Sequence, residues 1–229
     1  MTPEKSSKRE GGALSWLAIY REPVVLRMFF LGFSSGLPLL LVLGTLSFWM
    51  REVGVDLKSI GFMSWVGLCW GMKWLWSPLV DKLRIPLLSS RLGQRRAWLL
   101  TAQIGLIVSL ALMAFADPAK SLTLTAALAL TTAFFGATQD IALDAFRIES
   151  GSEEKQAAFA ATYQTGYRLA MIWAGAGALA IAAFFETQFG TAVGWRSAYL
   201  VMSASMLVGV VTVLLSLSLI HISEPTRPY

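Results

Sequence analysis

Six long runs of apolar residues occupy most of this sequence, and they constrain its fold more than any other feature. A helix that crosses the hydrocarbon core of a bilayer needs about 20 mainly apolar residues. The runs therefore predict six membrane-spanning helices joined by short loops. These helices cover residues 24–50, 60–80, 98–116, 122–147, 157–185 and 195–215. The expected fold class is an all-α polytopic membrane protein.

The composition agrees with this fold class. Hydrophobic residues make up 55% of the 229 residues, and Asp, Glu, Lys and Arg only 14%, against about 25% charged residues in soluble domains. A soluble core of this length has too little volume to bury so much apolar surface, whereas a bilayer solvates it. The 9 Trp and 13 Phe fit the aromatic belts at the two membrane faces.

The basic residues predict the orientation of the chain. The net charge is +5, but the charges lie in separate short loops and form no nucleic-acid patch. On one predicted side lie Lys5, Lys8, Arg9, Arg21, Arg27, Lys82, Arg84, Arg91, Arg95, Arg96, Arg147 and Lys155; on the other lie Arg51, Lys58, Lys120 and Arg196. The excess on the first side places the N-terminus in the cytoplasm by the positive-inside rule. A multi-pass membrane protein with a cytoplasmic N-terminus is expected.

The counts of cysteine and histidine exclude a disulfide framework and a Cys/His metal site. The single cysteine, Cys69, lies in an apolar run, and the single histidine is His221. A disulfide framework and a Cys/His metal site therefore cannot be built, and neither a metal nor a cofactor is expected. Residues 1–12 are polar and lack the features of a secretory signal.

The chain divides into three parts. Residues 1–23 are expected to be a cytoplasmic N-terminal segment, and residues 24–216 a six-helix transmembrane unit. The string from Leu217 to Arg227 resembles the translated read-through of a common transposase-type sequencing adapter, so residues 217–229 are expected to be a non-native tail. In that case His221 has no functional role.

Acidic residues inside the fourth predicted helix are the first candidate site. Asp140 and Asp144 are four residues apart and share a helix face, with Arg147 on the same side. Two carboxylates this close in a poorly hydrated place resist ionising together. One of them can then exchange protons, which proton coupling requires. The alternative is that Asp144 and Arg147 form a structural ion pair at the helix end.

Basic and amide residues at similar depth extend this candidate site. Lys73 lies in the second predicted helix and Arg168 in the fifth, and ionisable groups in the membrane usually face a cavity or one another. Gln164 precedes Arg168 by one turn, and Gln139 adjoins Asp140. These residues are candidates for binding polar or anionic groups of a substrate. For Lys73 the alternative is that its side chain extends to the interface.

Aromatic residues flank the charged positions. Tyr163 and Tyr167 are a neighbouring pair, and Trp70, Trp74 and Trp76 lie around Lys73. Such residues offer a wall for a sugar ring or another apolar face. For the tryptophans, ordinary helix packing is the alternative. Pairs of glycines also predict close helix packing, at Gly32, Gly36 and Gly44, at Gly67 and Gly71, and at Gly175 and Gly177.

The loop between the second and third predicted helices carries a motif. Asp81 ends one helix, and Gly93, Arg95 and Arg96 precede the next. This arrangement resembles the cytoplasmic signature loop of the major facilitator superfamily, although an insertion lengthens it here. The resemblance implies a gate at the cytoplasmic side. A simple basic anchor is the alternative.

Residues 13–216 resemble the N-terminal half of the AmpG-type muropeptide permeases of this superfamily. The fourth-helix run Gln139-Asp140-Ile141-Ala142-Leu143-Asp144 carries the resemblance and is shared with the related acetyl-CoA transporter group. The runs at residues 33–38, 76–81 and 90–98 point to the AmpG side. The resemblance implies two six-helix halves around a central cavity. It also implies proton-driven import of anhydromuropeptides from periplasm to cytoplasm for peptidoglycan recycling.

Three alternatives remain open at this point. The first is a transporter of another substrate, such as an acyl-CoA or a nucleotide-like anion. The second is a membrane-embedded enzyme, and the third is a structural membrane anchor. Because the family has twelve or more spans and alternating access needs both halves, we expect no transport by the 229-residue chain alone, with the missing half as its partner.

Overall fold

The computed structural model describes residues 19–218. Most of the predicted N-terminal segment and most of the predicted tail, including His221, lie outside these residues. Within them, all regular secondary structure is helical, as the sequence predicted. Five of the helices are long and apolar enough to cross a membrane, judged by length and composition.

We number the six helical spans α1 to α6. Span α1 comprises Pro23–Leu40, a π-helical turn at Leu41–Thr45, and Leu46–Glu52; α3 is Gln94–Met113 and α4 is Leu122–Glu149. Span α5 comprises Glu153–Ile172, a π-helical turn at Trp173–Gly177, and Ala178–Phe189; α6 comprises Thr191–Ser205 and Leu207–Ser218. These bounds agree with the predicted helices to within several residues.

Span α2 differs from the prediction of one continuous helix over residues 60–80 and is not among the five helices long and apolar enough to cross a membrane. It is a series of short elements: α-helical at Leu57–Met63, Leu68–Gly71 and Ser77–Lys82, and 3₁₀-helical at Ser64–Gly67 and Lys73–Leu75. Gly61, Gly67 and Gly71 lower its helix propensity. Tertiary packing usually supplies the stability that propensity lacks, but α2 packs mainly on α4 and leaves Trp65 and Trp74 largely exposed.

The other five spans form an interlocked bundle. Span α1 packs most extensively on α5 and also contacts α4 and α6, while α3 pairs with α4 and α5 pairs with α6. A short helix, Leu88–Leu92, lies in the loop between α2 and α3. The chain direction alternates from span to span, so the start of α3 and the end of α4 meet at one end of the bundle, as an ion pair between Arg95 and Glu149 shows.

Glycines bring α1 and α5 into close contact. Gly32 and Gly36 lie directly against the backbone carbonyls of Tyr163 and Tyr167, and Gly166 lies against that of Phe29. A side chain at any of these glycines would overlap the opposite backbone. The predicted packing role of Gly32 and Gly36 is therefore confirmed.

The other predicted glycines behave differently. Gly44 and Gly177 face side chains of their own spans, at Leu40 and Trp173, and Gly175 faces Leu40 of α1. Gly67 meets only the end of the Leu43 side chain. At Gly71 nothing lies within 4 Å of the position that a Cβ would take, so this glycine makes no close helix contact among residues 19–218.

The two π-helical turns face each other in the core. Side-chain hydroxyls of neighbouring spans hydrogen-bond to backbone carbonyls in both turns. Thr45 Oγ1 of α1 donates to the carbonyl of Ala174 at 2.7 Å, and the Tyr199 hydroxyl of α6 donates to the carbonyl of Leu41 at 3.0 Å. These bonds tie α1, α5 and α6 together at mid-length.

Candidate functional site

Asp140 lies where α4 meets α1 and α5. The hydroxyl of Ser35, a buried residue of α1, donates a hydrogen bond to Asp140 Oδ1. The Tyr163 hydroxyl of α5 lies 3.4 Å from the same Ser35 hydroxyl. Small residues such as Ser hydrogen-bond across helices inside membranes. Three spans therefore converge on one carboxyl group.

Asp144 lies one turn further along α4, beside two cations. Its Oδ2 is 3.4 Å from Lys73 Nζ of α2, and its Oδ1 is 3.7 Å from Arg147 Nη2 of its own helix. All three side chains are partly exposed. The predicted pair of Asp144 with Arg147 is present, and Lys73 turns toward the acidic face of α4. A single cluster thus carries two carboxylates and two cations.

Aromatic rings border this cluster on α5. The Tyr163 and Tyr167 rings are 6.0 Å apart between centroids, and the Arg147 guanidinium lies 5.6 Å from the centre of the Tyr163 ring. A cation over an aromatic face at this distance is attracted by the ring quadrupole. Tyr163 therefore links the Asp140 and Asp144 ends of the cluster.

The α2 tryptophans contact α4. Trp70 packs on Gly136, where a Cβ would lie 2.9 Å from its ring atom Cζ2. Trp76 Nε1 donates to Thr138 Oγ1 at 3.2 Å, and its ring lies against Phe134. For Trp70 and Trp76 these contacts agree with the helix-packing alternative. Trp74 is mostly exposed.

Three predicted site residues make no hydrogen bond or ion pair with the cluster in the described part of the chain. Gln139 is fully buried, and neither of its amide atoms has a hydrogen-bond partner among residues 19–218. Contact between Gln139 and a ligand would therefore need a more open conformation. Arg168 and Gln164 are exposed along α5, and in the described part of the chain no ion pair or side-chain hydrogen bond joins them to the cluster.

A second polar network lies at the end of the bundle where α3 begins. Arg95 Nη1 is 2.5 Å from Asp81 Oδ1, and Arg95 Nε is 2.9 Å from Glu149 Oε1. Gln94 Nε2 donates to the carbonyls of Val80 and Asp81. The motif residues therefore join the end of α2, the start of α3 and the end of α4. We call this end of the molecule the arginine-rich end.

Gly93 and Arg96 complete this loop. Gly93 has φ +79°, a left-handed conformation that favours glycine, and it directly precedes α3. The Arg96 guanidinium lies 5.8 Å from the centre of the Phe146 ring. Arg96 thus contacts α4 through an aromatic ring, whereas Arg95 contacts it through a carboxylate.

Sequence reasoning did not identify Ser35 or Glu149 as site residues. Ser35 is 105 positions from Asp140, and only the folded packing of α1 on α4 brings them together. A serine in an apolar helix is a weak signal for such a contact. Glu149 had a clearer signal, because it is an acidic residue just beyond Arg147 at a helix end, but its partner Arg95 is 54 positions away.

The fold and the site define an all-α polytopic membrane protein with an ionisable cluster held between its helices. The model of the family described as acetyl-coenzyme A transporter 1 matches residues 24–122. The anhydromuropeptide permease of Escherichia coli (strain K12) is 40% identical over 201 residues, which are 88% of this chain and 39% of the permease.

Further relatives carry related names. The putative transporter AmpG 4 of Rickettsia felis is 38% identical over 164 residues, 72% of this chain and 39% of that protein. The putative transporter AmpG 3 of Rickettsia prowazekii is 32% identical over 182 residues, 79% of this chain and 41% of that protein. The chain is therefore a homologue of the AmpG-type permeases, as its motifs predicted, and it spans about two fifths of the length of these relatives.

Proposed function

We propose that this chain forms the N-terminal half of a proton-driven muropeptide importer and is not an enzyme. Residues 24–216 would be the transmembrane half, in the bacterial inner membrane with the N-terminus in the cytoplasm. The anhydromuropeptide would enter from the periplasm by alternating access of two halves. Neither a nucleic acid nor a cofactor enters this proposal.

The hydrogen bond from Ser35 to Asp140, with the Tyr163 hydroxyl 3.4 Å from that of Ser35, carries the proposal. A carboxyl group placed among three spans is costly in a membrane and by default marks a transport pathway. Asp140 would bind the coupling proton, and Asp144, one turn away beside Lys73 and Arg147, is the second candidate. Because a proton on Asp140 changes the charge that these neighbours experience, its binding can favour one arrangement of α1, α4 and α5 over another.

The substrate would contact the exposed side of this cluster. Lys73 and Arg168 would attract its carboxylates, and Gln164 and Gln139 would offer amide hydrogen bonds, the latter after opening of the bundle. Tyr163, Tyr167 and Trp70 would face its sugar rings. The exposed position of Arg168 and Gln164 on α5 is the position expected for residues that line a shared cavity with a second half.

The arginine-rich end would act as the cytoplasmic gate. Asp81, Arg95 and Glu149 join three spans there, and Gly93 and Arg96 shape the same loop. Breaking this network would let the start of α3 move relative to the end of α4. Such movement is the rocking or gating that alternating access requires.

A chimera tests the proposal. Residues 1–216 would replace the matching part of the Escherichia coli anhydromuropeptide permease, and uptake of labelled anhydromuropeptide would be measured in energised vesicles. We expect uptake that collapses when the proton gradient is removed, and none from the 229-residue chain alone. A correctly inserted chimera that leaves anhydromuropeptide outside would contradict the substrate, and uptake insensitive to the proton gradient would contradict the coupling.

A second candidate substrate has one observation in its favour. The family model that matches residues 24–122 is described as an acetyl-coenzyme A transporter, so an acyl-CoA or a nucleotide-like anion is the alternative. Competition in the same vesicles separates the two. Inhibition of labelled uptake by unlabelled anhydromuropeptide and not by acetyl-CoA supports the first proposal, whereas the opposite pattern supports the alternative.

A further inference from the structure

The arginine-rich end contains a cavity that adjoins the proposed gate and is not part of the proposed muropeptide-binding cluster. It has a volume of about 630 Å³ and lies between the start of α1, the start of α3 and the end of α4. Its lining includes Arg27, Met28, Arg95, Arg96, Phe146 and Glu149. Ligand sites usually have volumes of about 300–1,000 Å³, so this cavity is large enough for a small polar group with part of an apolar chain.

The charges around the cavity are unbalanced. Arg95 is neutralised by Asp81 and Glu149, at 2.5 and 2.9 Å. Arg27 and Arg96 line the same cavity, and neither has an ion pair among the side chains that the structure describes. Two unpaired guanidinium groups facing one cavity create a positive potential, and an anion between them would relieve their repulsion.

The lining places a charged group next to an apolar surface, as the binding of an amphiphilic ligand requires. The Arg96 guanidinium lies 5.8 Å from the centre of the Phe146 ring, and both side chains line the cavity. The buried side chain of Met28 and the partly buried Val24 supply apolar surface next to it. Guanidinium groups match the geometry of phosphate oxygens, and basic pockets between transmembrane helices bind phospholipid head groups.

We propose that this cavity binds a phosphate group between Arg27 and Arg96, as carried by an anionic phospholipid. The site is separate from the Asp140 cluster. Its ligand need not be transported, and the proposal stands or falls independently of muropeptide transport. A bound head group would join α1, α3 and α4 at the end of the bundle where the Arg95 network also joins spans.

Binding would be measured on the purified 229-residue chain in a neutral detergent. Native mass spectrometry would count bound phosphatidylglycerol and phosphatidylcholine, and titration would give their affinities. Inorganic phosphate would be added alone and as a competitor. We expect phosphatidylglycerol to bind more tightly than phosphatidylcholine and to be displaced by high phosphate. Saturable binding of inorganic phosphate with no preference for phosphatidylglycerol would assign the site to a soluble phosphate instead.

Variants test whether the two arginines form the site. Losing two charged hydrogen-bond donors from R27Q/R96Q should weaken phosphatidylglycerol binding about tenfold or more. R91Q is the matched control, because Arg91 is exposed at the same end and does not line the cavity. Its affinity should equal that of the unmodified chain.

A charge-preserving double variant allows the test to be made if R27Q/R96Q does not fold. R27K/R96K keeps both charges but loses the planar fork, so it should fold and bind phosphatidylglycerol more weakly than the unmodified chain. Circular dichroism would verify the helical content of each variant. Equal affinities in the unmodified chain and in a folded R27Q/R96Q or R27K/R96K variant would overturn the proposal, as would the absence of any competition by phosphate.

Discussion

The hydroxyl of Ser35 on α1 donates a hydrogen bond to the carboxyl group of Asp140 on α4. This bond joins two spans through residues that are 105 positions apart in the sequence, and Ser35 itself is buried. Asp140 is partly buried, and an acceptor withdrawn from water that loses its donor bears the cost of its desolvation. The Ser35–Asp140 bond should therefore contribute both to the stability of the bundle and to the behaviour of the carboxyl group.

Substituting Ser35 with Ala should destabilise the chain by about 1–3 kcal/mol, because it leaves the Asp140 oxygen without this donor. The measurement is the free energy of unfolding in mixed detergent. Ser47→Ala is the control, since among residues 19–218 Ser47 Oγ bonds only to the Leu43 carbonyl one turn earlier in its own span. Equal stability of the two variants would show that the interhelical bond contributes nothing.

Substituting Gly32 with Ala should separate α1 from α5. The new methyl group would overlap the backbone carbonyl of Tyr163, and overpacking of this kind typically costs about 1–3 kcal/mol. Gly61→Ala is the control, because Gly61 is helical and no atom lies within 4 Å of its Cβ position. That change should be neutral or stabilise by up to about 1 kcal/mol.

Thermal unfolding in the same detergent compares these two alanine variants. A cysteine crosslink between α1 and α5 would report the helix separation directly. If Gly32→Ala were as stable as Gly61→Ala, the close approach of Gly32 to Tyr163 would not limit the packing of these spans.

Substituting Arg95 with Gln should affect motion more than stability. Its partners Asp81 and Glu149 are about half exposed, and exposed ion pairs contribute only about 0–1 kcal/mol each. We therefore expect a small loss of stability but a large loss of uptake in the chimera. Arg91→Gln, at an exposed position outside this network, should leave both unchanged.

A double-mutant cycle separates the Arg95–Asp81 pair from general effects of charge. Asp81→Asn and Arg95→Gln should each reduce uptake, and the two together should reduce it by less than the sum of their separate free energies. Strictly additive losses would mean that the two side chains act independently, against a shared gate.

Much of this fold follows from the apolar pattern alone. The runs that become α1, α3, α4, α5 and α6 are long enough that hydropathy fixes both their type and their approximate bounds. The pairing of Asp144 with Arg147 was also predictable, because residues three apart on a helix are neighbours. Gly32 and Gly36, spaced by four residues, predicted a close helix contact, and the structure shows that α5 is the partner.

The remaining features depend on contacts that the pattern does not encode. Span α2 has the hydropathy of a continuous helix, yet its glycines and its sparse packing allow it to divide into short elements. Ser35 and Glu149 find their partners only through tertiary packing. The sequence places Arg168 at the depth of the Asp140 cluster, but depth along a helix does not determine which side of the helix faces the cluster, so its role there stays a prediction.

Asp56 provides a pH-dependent prediction outside the membrane-spanning segments. It precedes α2, and its carboxylate accepts hydrogen bonds from the Ser59 hydroxyl at 2.7 Å and the Ser59 backbone N–H at 2.9 Å. These bonds favour the ionised form and lower the pKa of Asp56 below its ordinary value of 3.8. Its stabilising effect is therefore present above the unfolded-state pKa and is lost as the pH falls through the folded-state pKa.

Asp56→Asn tests this effect, because Asn also caps helix N-termini but does not titrate. The unmodified chain should lose stability relative to Asp56→Asn as the pH is lowered from neutral through the acidic range. Unfolding curves at several pH values measure the difference. A constant difference over the whole range would contradict a contribution from Asp56 ionisation.

Asp140→Asn and Asp144→Asn are expected to affect proton-coupled uptake in different ways. If Asp140 binds the proton, Asp140→Asn in the chimera should abolish uptake driven by a proton gradient, since the side chain can no longer lose a proton. Exchange of labelled for unlabelled substrate at equal concentrations needs no net proton movement and should persist. Asp144→Asn keeps Asp140 but removes the partner of Lys73 and Arg147, so it should weaken both activities.

The two assays together identify the coupling residue. Loss of driven uptake with retained exchange in Asp140→Asn assigns the proton to Asp140, and the same pattern in Asp144→Asn alone assigns it to Asp144. Driven uptake that survives both substitutions would refute proton binding at this cluster. In that case the Ser35–Asp140 bond would serve only to hold α1 against α4, and the coupling group would have to lie elsewhere in the transporter.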